Sequence, residues 1–459
     1  MAVAVQALEV RNPYTGRVVG QAPLLDRAAV TAALDAAAFP ELQRHERAEI
    51  LFATAARLEA ERAELASLIT SESGLALKDT THEVDRARDV FRFAAMEALR
   101  DDGEVFACDT SSNGRDRRAM TLRVPVRLVA AITPFNHPLN QVAHKVAPAI
   151  AAGAPMVLKP SEKTPLSALR LQELMRASGL PPNAVQIVCG EPAEVAGAML
   201  AYDAVDVVSF TGAVAVGKSL AARLGYRRAV LELGGNDPLL VLADADLDEA
   251  AALTVSGAFS NSGQRCTAVK RVLAVDEIAD ELVGRIVERT QRLRSGDPAA
   301  PETDVGTVID DDAAARIAAR VADAERDGAQ LLAGGGRDGA LVPPTVLDHV
   351  TPDMELVASE TFGPVAPVIR VRDLDEAIAV ANSTPYALSS GVCTFDWRAI
   401  ARCVRELRAG TVNIREVPGF RTELTPFGGV GDSGLGVKEG VREAMRAMTY
   451  TKLYTLPWS

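Results

Sequence analysis

The sequence predicts an α/β fold with two units, each a parallel sheet that carries helices on both faces. Its length of 459 residues exceeds what one hydrophobic core usually serves, so two or three domains are expected. From residue 127 onward, short apolar segments alternate with helix-like segments. Continuous apolar strands that are bounded by glycine or proline and separated by helices are typical of parallel sheets buried on both faces.

The first part of the chain predicts a hairpin followed by a helical layer. A turn signal separates two short β-prone pieces at 10–20, which indicates the hairpin. Apolar residues then recur at three- and four-residue steps over 26–100, which is the helical period. The Asp-Asp-Gly at 101–103 ends this layer, and two strand-like pieces follow within 104–125 around a turn at 111–114.

The strands of the first predicted sheet end at polar residues. The sheet opens at 127–133, and its further strands are expected at 156–159, 184–189, 205–210 and 230–232. Because such sheets bind ligands beyond the carboxyl ends of their strands, Lys159, Thr211 and Glu232 stand where a ligand would bind.

A second strand-helix series runs from about 238 to 410 and predicts the second sheet. The tail at 448–456 alternates between apolar and polar residues, which is the pattern of an edge strand that needs a partner. The chain is thus expected to end on a strand that pairs outside both large sheets.

The composition excludes several classes of protein. A formal net charge of −12 argues against a nucleic-acid surface, because binding phosphates needs clustered cations in excess. Five cysteines without a CxxC pair indicate neither a disulfide framework nor a metal site. The chain starts without a basic segment before an apolar block, and no apolar run approaches the roughly 20 residues of a membrane span. We therefore expect a soluble, cytoplasmic protein that binds neither nucleic acid nor membrane.

Cys266 is the candidate nucleophile. It lies at 260–267 in a run of small and polar residues, directly after Arg265. A thiol attacks as thiolate, and a nearby cation lowers its pKa from about 8.5 towards neutrality. A buried structural cysteine is the alternative that this octet alone leaves open. Two further stretches, 133–138 and 231–236, favour the nucleophile.

Several ordered motifs together resemble the aldehyde dehydrogenase superfamily over nearly the whole chain. Besides the cysteine octet they are Thr133-Pro134-Phe135-Asn136-His137-Pro138, Lys159-Pro160-Ser161-Glu162, Phe210-Thr211-Gly212, Leu231-Glu232-Leu233-Gly234-Gly235-Asn236, Glu360-Thr361-Phe362-Gly363-Pro364 and Pro426-Phe427-Gly428-Gly429. Within the superfamily the chain most resembles the phosphonoacetaldehyde dehydrogenases, on residues 136–141, 263–271 and 431–436.

The resemblance implies a Rossmann-like cofactor domain, a second α/β catalytic domain and a small β element for oligomerisation. The NAD-binding domain would comprise 1–103 and 126–234, and the catalytic domain 235–430. Residues 104–125 and 446–459 would be the oligomerisation strands. In the resembled family this hairpin pairs with the last strand of a partner subunit, so we expect a homodimer or a dimer of dimers.

The resemblance also implies three catalytic residues. Cys266 would attack the aldehyde, and the Asn136 amide with the Cys266 main-chain N–H would stabilise the oxyanion. Glu232 would activate the water that hydrolyses the thioester, since partial burial raises the pKa of a glutamate from about 4.3. On the residues alone, Asn136 could be a turn former and Glu232 a solvated strand end.

A nicotinamide cofactor would lie where Gly212 to Lys218 follow a strand and open a helix, because N–H groups there can face a pyrophosphate. An ordinary strand-to-helix turn would look the same.

Glu162 bears on the choice of cofactor. A carboxylate there accepts a hydrogen bond from a ribose 2′-hydroxyl and repels a 2′-phosphate, which favours NAD over NADP. The alternative is that Glu162 is a solvated residue at the start of a helix. The resembled family usually has serine where Ala213 stands. The expected cofactor residues are Thr133, Pro134, Phe135, Lys159, Glu162, Gly212, Ala213, Gly217, Leu233, Glu360 and Phe362.

The substrate is expected to be a small anionic aldehyde. Many members of the resembled family have apolar residues where His137, Asn140 and His144 stand, and the spacing of these three places them on one helical face. The expected substrate residues are Arg86, His137, Asn140, Arg265 and Thr267, with Arg415 and Arg421 as further candidates.

Two arginines and a histidine suit a dianion, which favours oxidation of phosphonoacetaldehyde to phosphonoacetate through a thioester. Phosphonoformaldehyde, glyceraldehyde 3-phosphate, lactaldehyde or a semialdehyde is the alternative substrate. Surface ion pairing of Arg86 and a subunit contact of Arg265 are the structural alternatives.

Overall fold

The structure is a computed structural model that describes residues 7–100 and 102–458. An antiparallel hairpin of β1 (Ala7–Arg11) and β2 (Val18–Pro23) comes first, as predicted. The predicted helical layer follows as α1 (Arg27–Ala36), α2 (Arg44–Ala60), α3 (Arg62–Ser73) and α4 (Leu77–Ala98). Residues 1–6 and Asp101, on which the expected chain start and part of the expected helix stop fall, lie outside the described residues.

Local sequence explains where these helices begin and end. Asp26 caps α1 by accepting a hydrogen bond from the Ala29 N–H over 2.8 Å. Gly74 ends α3 in the left-handed conformation with φ 74°, which glycine adopts without strain. Helix α4 buries one face against α2 and carries Arg86 on its partly exposed side.

The first large sheet has five parallel strands. After β3 (Val105–Ala107) and β4 (Arg117–Pro125), its elements are β5 (Val129–Ile132), α5 (Asn140–Ala152), β6 (Met156–Lys159), α6 (Leu166–Ala177), β7 (Val185–Ile187), α7 (Pro192–Ala201), β8 (Val207–Thr211), α8 (Val214–Ala221) and β9 (Arg228–Glu232). The strand order is β7-β6-β5-β8-β9. The chain therefore reverses direction across the sheet between β5 and β8, and ligands bind at such a switch point.

The second large sheet has seven strands in the order β12-β13-β14-β11-β10-β15-β16, all parallel except β12. Its elements are β10 (Pro238–Val241), α9 (Leu247–Phe259), β11 (Arg271–Val275), α10 (Asp276–Gln291), α11 (Asp311–Arg326), β12 (Gln330–Ala333), β13 (Thr345–Asp348), α12 (Glu355–Ala358), β14 (Val365–Val371), α13 (Leu374–Ala381), β15 (Ser389–Cys393), α14 (Trp397–Glu406) and β16 (Thr411–Ile414). The α/β fold with two doubly covered sheets is confirmed.

A third sheet contains the chain's last strand. Helix α15 (Val441–Ala447) leads into β17 (Thr449–Pro457), and the strand order is β17-β4-β3. Nine residues of β17 pair antiparallel with β4 of the same chain. This corrects the expected pairing of the hairpin with a partner's last strand, because α15 delivers β17 directly to β4: the Val126 N–H donates to the Met448 carbonyl.

In the part of the chain that the structure describes, every helix is too short or too polar to cross a lipid bilayer.

Candidate active site

A cavity of about 350 Å³ lies at the carboxyl ends of β5, β8 and β9, where the switch point falls. Residues of the second unit close its other side. The three expected catalytic residues Asn136, Glu232 and Cys266 all line it. The chain thus brings together residues that are up to 130 positions apart in sequence, as the difference between 136 and 266 shows.

A tight turn positions Cys266. Asn261, Ser262 and Gly263 have φ of 60°, 53° and 67°, so three consecutive residues adopt the left-handed conformation. A side chain at position 263 would collide with the Gly363 carbonyl, which requires glycine there. The two non-glycine residues store backbone strain, a feature that clusters at functional sites.

Asn136 is held against this turn by two hydrogen bonds. Its Nδ2 donates to the Gln264 carbonyl over 2.7 Å, and its own carbonyl accepts from Nδ2 of Asn261 over 2.9 Å. An amide nitrogen carries two hydrogens, so Nδ2 keeps a second donor beside Cys266. This donor is suited to a developing oxyanion.

Burial, together with the smaller effect of the Asp237 charge, raises the pKa of the Cys266 thiol to about 12. Lys270 and Arg421 act in the opposite direction but do not compensate. The expected lowering of the thiol pKa by the neighbouring Arg265 is therefore not found, since removal from water outweighs the nearby cations. Cys266 needs a base to accept its proton.

Glu232 ends β9 and is suited to that role. Both of its carboxylate oxygens are buried and accept no hydrogen bond from a described residue. Burial raises the pKa of Glu232 well above its ordinary value, and the charge of Glu439 adds to the rise. Gly428 lies against the carboxylate, where a side chain would collide with it. A carboxyl in these surroundings can act as a general base near neutral pH.

A buried ion pair behind Glu232 was not foreseen from the sequence. Nζ of Lys145 donates to Glu439 over 2.7 Å and to Ser209 over 2.9 Å. Lys145 is fully buried in α5, and every residue of that helix after it is apolar. A lysine inside such a helix is a signal that sequence reasoning could have used, because lysine is rarely buried without a partner.

The expected cofactor residues divide into two groups. Seven of them line the large cavity: Pro134, Phe135, Gly212, Ala213, Leu233, Glu360 and Phe362. Lys159, Glu162, Thr133 and Gly217 lie outside that lining. Lys159 donates to Glu162 over 3.0 Å, and Gly217 lies under Leu233.

Glu360 and Phe362 are fixed by Lys270. This buried lysine forms an ion pair with Glu360 and places its Nζ 4.8 Å from the centre of the Phe362 ring. Phe135 meets the same ring edge to face at 6.0 Å. Lys270 was not predicted, and neither was Arg320, which donates to the Glu360 carbonyl over 2.6 Å. Both connect segments distant in sequence.

A group of cations lies on another side of Cys266. The charges of Arg86 and Arg265 both lower the pKa of His137, although burial lowers it most. His137 also lies 3.5 Å from Glu83, and its imidazole is neutral at neutral pH because of this burial. The structure therefore brings together three of the expected substrate residues.

These residues differ in how their side chains are bound. Arg86 forms an ion pair with Glu423, whereas Arg265 donates to the Gly257 carbonyl over 2.8 Å and keeps a buried, unpartnered Nε among the described residues. Both polar atoms of the Asn140 amide are likewise buried without a described partner. Thr267 lies under Gly419.

Arg421 belongs to this group and Arg415 does not. The Arg421 guanidinium lies 4.0 Å from the Phe427 ring centre, and its buried Nη1 has no partner within the described residues. Its charge acts to lower the pKa of Cys266. Arg415 instead pairs with Glu249 over 2.8 Å at the surface.

Comparison with known proteins agrees with this geometry. Residues 2–454 match the sequence model of the aldehyde dehydrogenase family. The chain is 36% identical to 3-sulfolactaldehyde dehydrogenase of Priestia megaterium, over 98% of this chain and 95% of that one. It is 37% identical to lactaldehyde dehydrogenase of Methanococcus aeolicus, over 97% and 96%.

The fold comparison gives the same result. The crystal structure of NADP-dependent glyceraldehyde-3-phosphate dehydrogenase from Bacillus halodurans, complexed with NADP, superposes with a TM-score of 0.96. Sequence identity to it is 36%, over 99% of this chain and 96% of that one.

Proposed function

Because this chain belongs to the aldehyde dehydrogenase family, we propose that it oxidises a small aldehyde that carries a tetrahedral oxyanion group. Phosphonoacetaldehyde is our first candidate, and the product would be phosphonoacetate. As a family member the chain is an NAD(P)-dependent aldehyde dehydrogenase.

The observation that supports this proposal most directly is that two guanidinium groups near the nucleophile each keep a buried nitrogen without a described partner. Arg265 and Arg421 each bury a nitrogen that donates to no described residue. A buried donor left unsatisfied costs about 1 to 3 kcal/mol, more when it is charged, so a ligand that accepts from both is stabilised. An oxyanion group opposite two guanidinium groups forms charge-assisted hydrogen bonds.

The cations near Cys266 favour an anionic substrate. Arg86 is paired with Glu423, whereas Arg265 and Arg421 each keep a buried nitrogen without a described partner. Such donors match a phosphonate or phosphate better than an uncharged group.

The names of the relatives support an acidic or polar substrate but also favour a second candidate. One relative acts on a sulfonated aldehyde and one solved structure on glyceraldehyde 3-phosphate, by their names. Another relative is a lactaldehyde dehydrogenase, so a small hydroxylated aldehyde is the second candidate.

The residues of the cavity fit a nicotinamide dinucleotide. Thr211, at the end of β8, lines the cavity and buries a hydroxyl oxygen without a described partner, and Gly212 and Ala213 lead from it into α8. This helix start can face a pyrophosphate. When bound, the nicotinamide supplies the hydride acceptor.

The chain's own residues would perform the other steps. Glu232 accepts the proton of the Cys266 thiol, and the sulfur attacks the aldehyde carbon. The second Nδ2 hydrogen of Asn136 and the Cys266 N–H stabilise the resulting oxyanion. Glu232 releases the thiol proton to solvent before hydrolysis. Once oxidation has produced the thioester, Glu232 takes a proton from water as the water attacks, and the C–S bond breaks to release the acid and the Cys266 thiolate.

We propose NAD as the preferred cofactor. The Glu162 carboxylate lies 3.0 Å from Nζ of Lys159; it would repel a 2′-phosphate, while it would accept from a 2′-hydroxyl. The relative solved with NADP makes this a point to test directly.

We also propose a homodimer or dimer of dimers, formed through the third sheet. Val105, Phe106, Leu453 and Leu456 are exposed on its two outer strands, β3 and β17. Exposed apolar side chains on strands with free edges are typical of an interaction surface.

Initial rates over a panel of aldehydes test the substrate. The panel comprises phosphonoacetaldehyde, glyceraldehyde 3-phosphate, a sulfonated aldehyde, a semialdehyde, lactaldehyde and propanal, with NADH formation as the readout and Cys266→Ala as the inactive control. We expect the highest kcat/KM for an oxyanion-bearing aldehyde. A higher kcat/KM for propanal or lactaldehyde than for each acidic aldehyde would show the proposal to be wrong.

A further inference from the structure

A second cluster of cations lies away from the active site, and we call it the arginine pocket. It is a cavity of about 80 Å³ between α2, α4, α15 and β4. Its arginines are Arg44, Arg47, Arg100, Arg123, Arg442 and Arg446. The described lining contains two carboxylates, Glu97 and Asp102. Six positive charges against two negative ones leave an excess of four in a chain whose net charge is −12.

Ion pairs and helix ends account for part of this cluster. Arg446 donates to Asp102 over 2.9 Å, and Arg442 donates to Glu97 over 3.1 Å. Arg44 donates to the Arg100 carbonyl just after α4, where a cation is favoured by the helix dipole. These arginines have structural roles that need no ligand.

Arg47 and Arg123 are not accounted for in this way. Nε of each is buried and donates to no residue that the structure describes. Arg123 uses its two Nη atoms on Thr451 and the Arg446 carbonyl, so its Nε is left over. Burial lowers the pKa of Arg47, and the neighbouring Arg44 lowers it further, which is the effect of like charges crowded together.

We propose that the arginine pocket binds a tetrahedral oxyanion of the phosphate type, either free or as the end group of a small phosphorylated molecule. A guanidinium group binds such an anion through paired, charge-assisted hydrogen bonds. The cavity has room for one such group, whereas the active-site cavity is about 350 Å³. The anion would accept from Nε of Arg47 and Arg123 and reduce the repulsion among the arginines.

The pocket is connected to the active site through the fold. Helix α4 carries Arg86 in its middle and Glu97 near its end, while α5 carries Asn140 at its start and Ala152 at its end. A ligand in the arginine pocket therefore contacts the far ends of two helices that present substrate residues.

Titration calorimetry with inorganic phosphate tests this proposal on the full-length enzyme. We compare wild type with the double variant Arg47→Gln/Arg123→Gln and use Arg402→Gln as the surface control. Arg421→Gln is titrated separately, because the active site is itself proposed to bind an oxyanion, and this variant should lose only that second binding event. The double variant should lose at least about tenfold in affinity, which corresponds to one charge-assisted hydrogen bond, while Arg402→Gln keeps the wild-type affinity. Unchanged affinity in the double variant, or no binding to wild type, overturns the proposal.

Two additions keep the test decisive. Hydrogen exchange of wild type with and without phosphate replaces the double variant if that variant does not fold. Slower exchange at 95–100 and 441–449 supports the pocket, and slowing confined to other regions overturns it.

Titration with glycerol 3-phosphate distinguishes free phosphate from a phosphorylated small molecule. Tighter binding than for phosphate identifies a phosphorylated small molecule, and equal binding identifies the phosphoryl group alone.

Discussion

Arg86 donates a hydrogen bond from Nε to Oε1 of Glu423 over 2.5 Å, and this bond ties helix α4 to the loop that precedes Phe427. The same carboxylate contacts Nε2 of His144. Arg421, two residues before Glu423, has no such partner among the described residues for its buried Nη1. Of these two arginines, Arg421 is therefore the one whose donors are available to a substrate.

We expect Arg421→Ala to raise KM for an oxyanion-bearing aldehyde and to leave KM for propanal nearly unchanged. Loss of a charge-assisted hydrogen bond of about 1.5 to 3 kcal/mol predicts a ten- to hundredfold fall in kcat/KM for the acidic substrate. Arg415→Ala is the matched control, since Arg415 lies in the same loop but pairs with Glu249. An equal loss for both substrates would assign Arg421 to thiol activation or to structure instead.

Glu232→Gln should separate oxidation from hydrolysis. The amide cannot take a proton from water, so steady-state turnover is expected to fall by about 10² to 10⁴ while thioester forms more slowly on a residual route. Rapid mixing with substrate should show a burst of NADH of one equivalent per Cys266. Wild-type turnover in this variant would exclude Glu232 as the base.

The same variant tests the raised pKa of Glu232. The pKa of Glu232 is higher in the folded state than in the unfolded state. As pH rises above about 4.3 the unfolded chain releases this proton while the folded chain keeps it, so the free energy of unfolding falls. The fall reaches its full size above the folded pKa. Glu232→Gln is therefore expected to unfold at a higher temperature than wild type at pH 8 and at a similar temperature near pH 4. Correspondingly, kcat of wild type should decline with acid at a higher pH than an exposed glutamate would give.

Much of the fold could be predicted from the sequence, because buried helices and strands need apolar residues at a characteristic spacing. The strand β6 was predicted with its observed bounds, and the helical layer and the second sheet were found where expected. Pairing was harder, since β17 could equally have paired with another chain by its alternation alone. Only the path of α15 determines that it joins β4.

The site was less predictable because its charges are partnered across long sequence distances. Lys145 meets Glu439, and Lys270 meets Glu360, through contacts that local patterns do not encode. The pKa of Cys266 depends on burial, which the octet around it does not reveal. Arg415 and Arg421 looked alike in sequence, and only the structure shows that one is paired at the surface.

Glu162→Gln should shift cofactor preference towards NADP. Removing the negative charge lifts repulsion of a 2′-phosphate and weakens a hydrogen bond from the 2′-hydroxyl, so the ratio of kcat/KM for NAD over NADP is expected to fall about tenfold. Lys159, which pairs with Glu162, would then be free to attract the phosphate. Glu173→Gln, an exposed glutamate of α6, is the control and should leave the ratio unchanged. A wild-type enzyme that already prefers NADP would contradict the assignment of Glu162.

Leu453→Asp with Leu456→Asp should weaken the oligomer without unfolding the chain. Both leucines are exposed on β17, at 61% and 44%, so a charge there costs little in the isolated subunit. In an interface between subunits the same charges would be removed from water, which is costly when they lack partners. Light scattering coupled to gel filtration should show a smaller assembly for this variant. Val404→Asp on α14, also an exposed apolar position, should leave the mass unchanged. If the double variant keeps the wild-type mass, subunits associate through another surface and the third sheet has a role within its own chain.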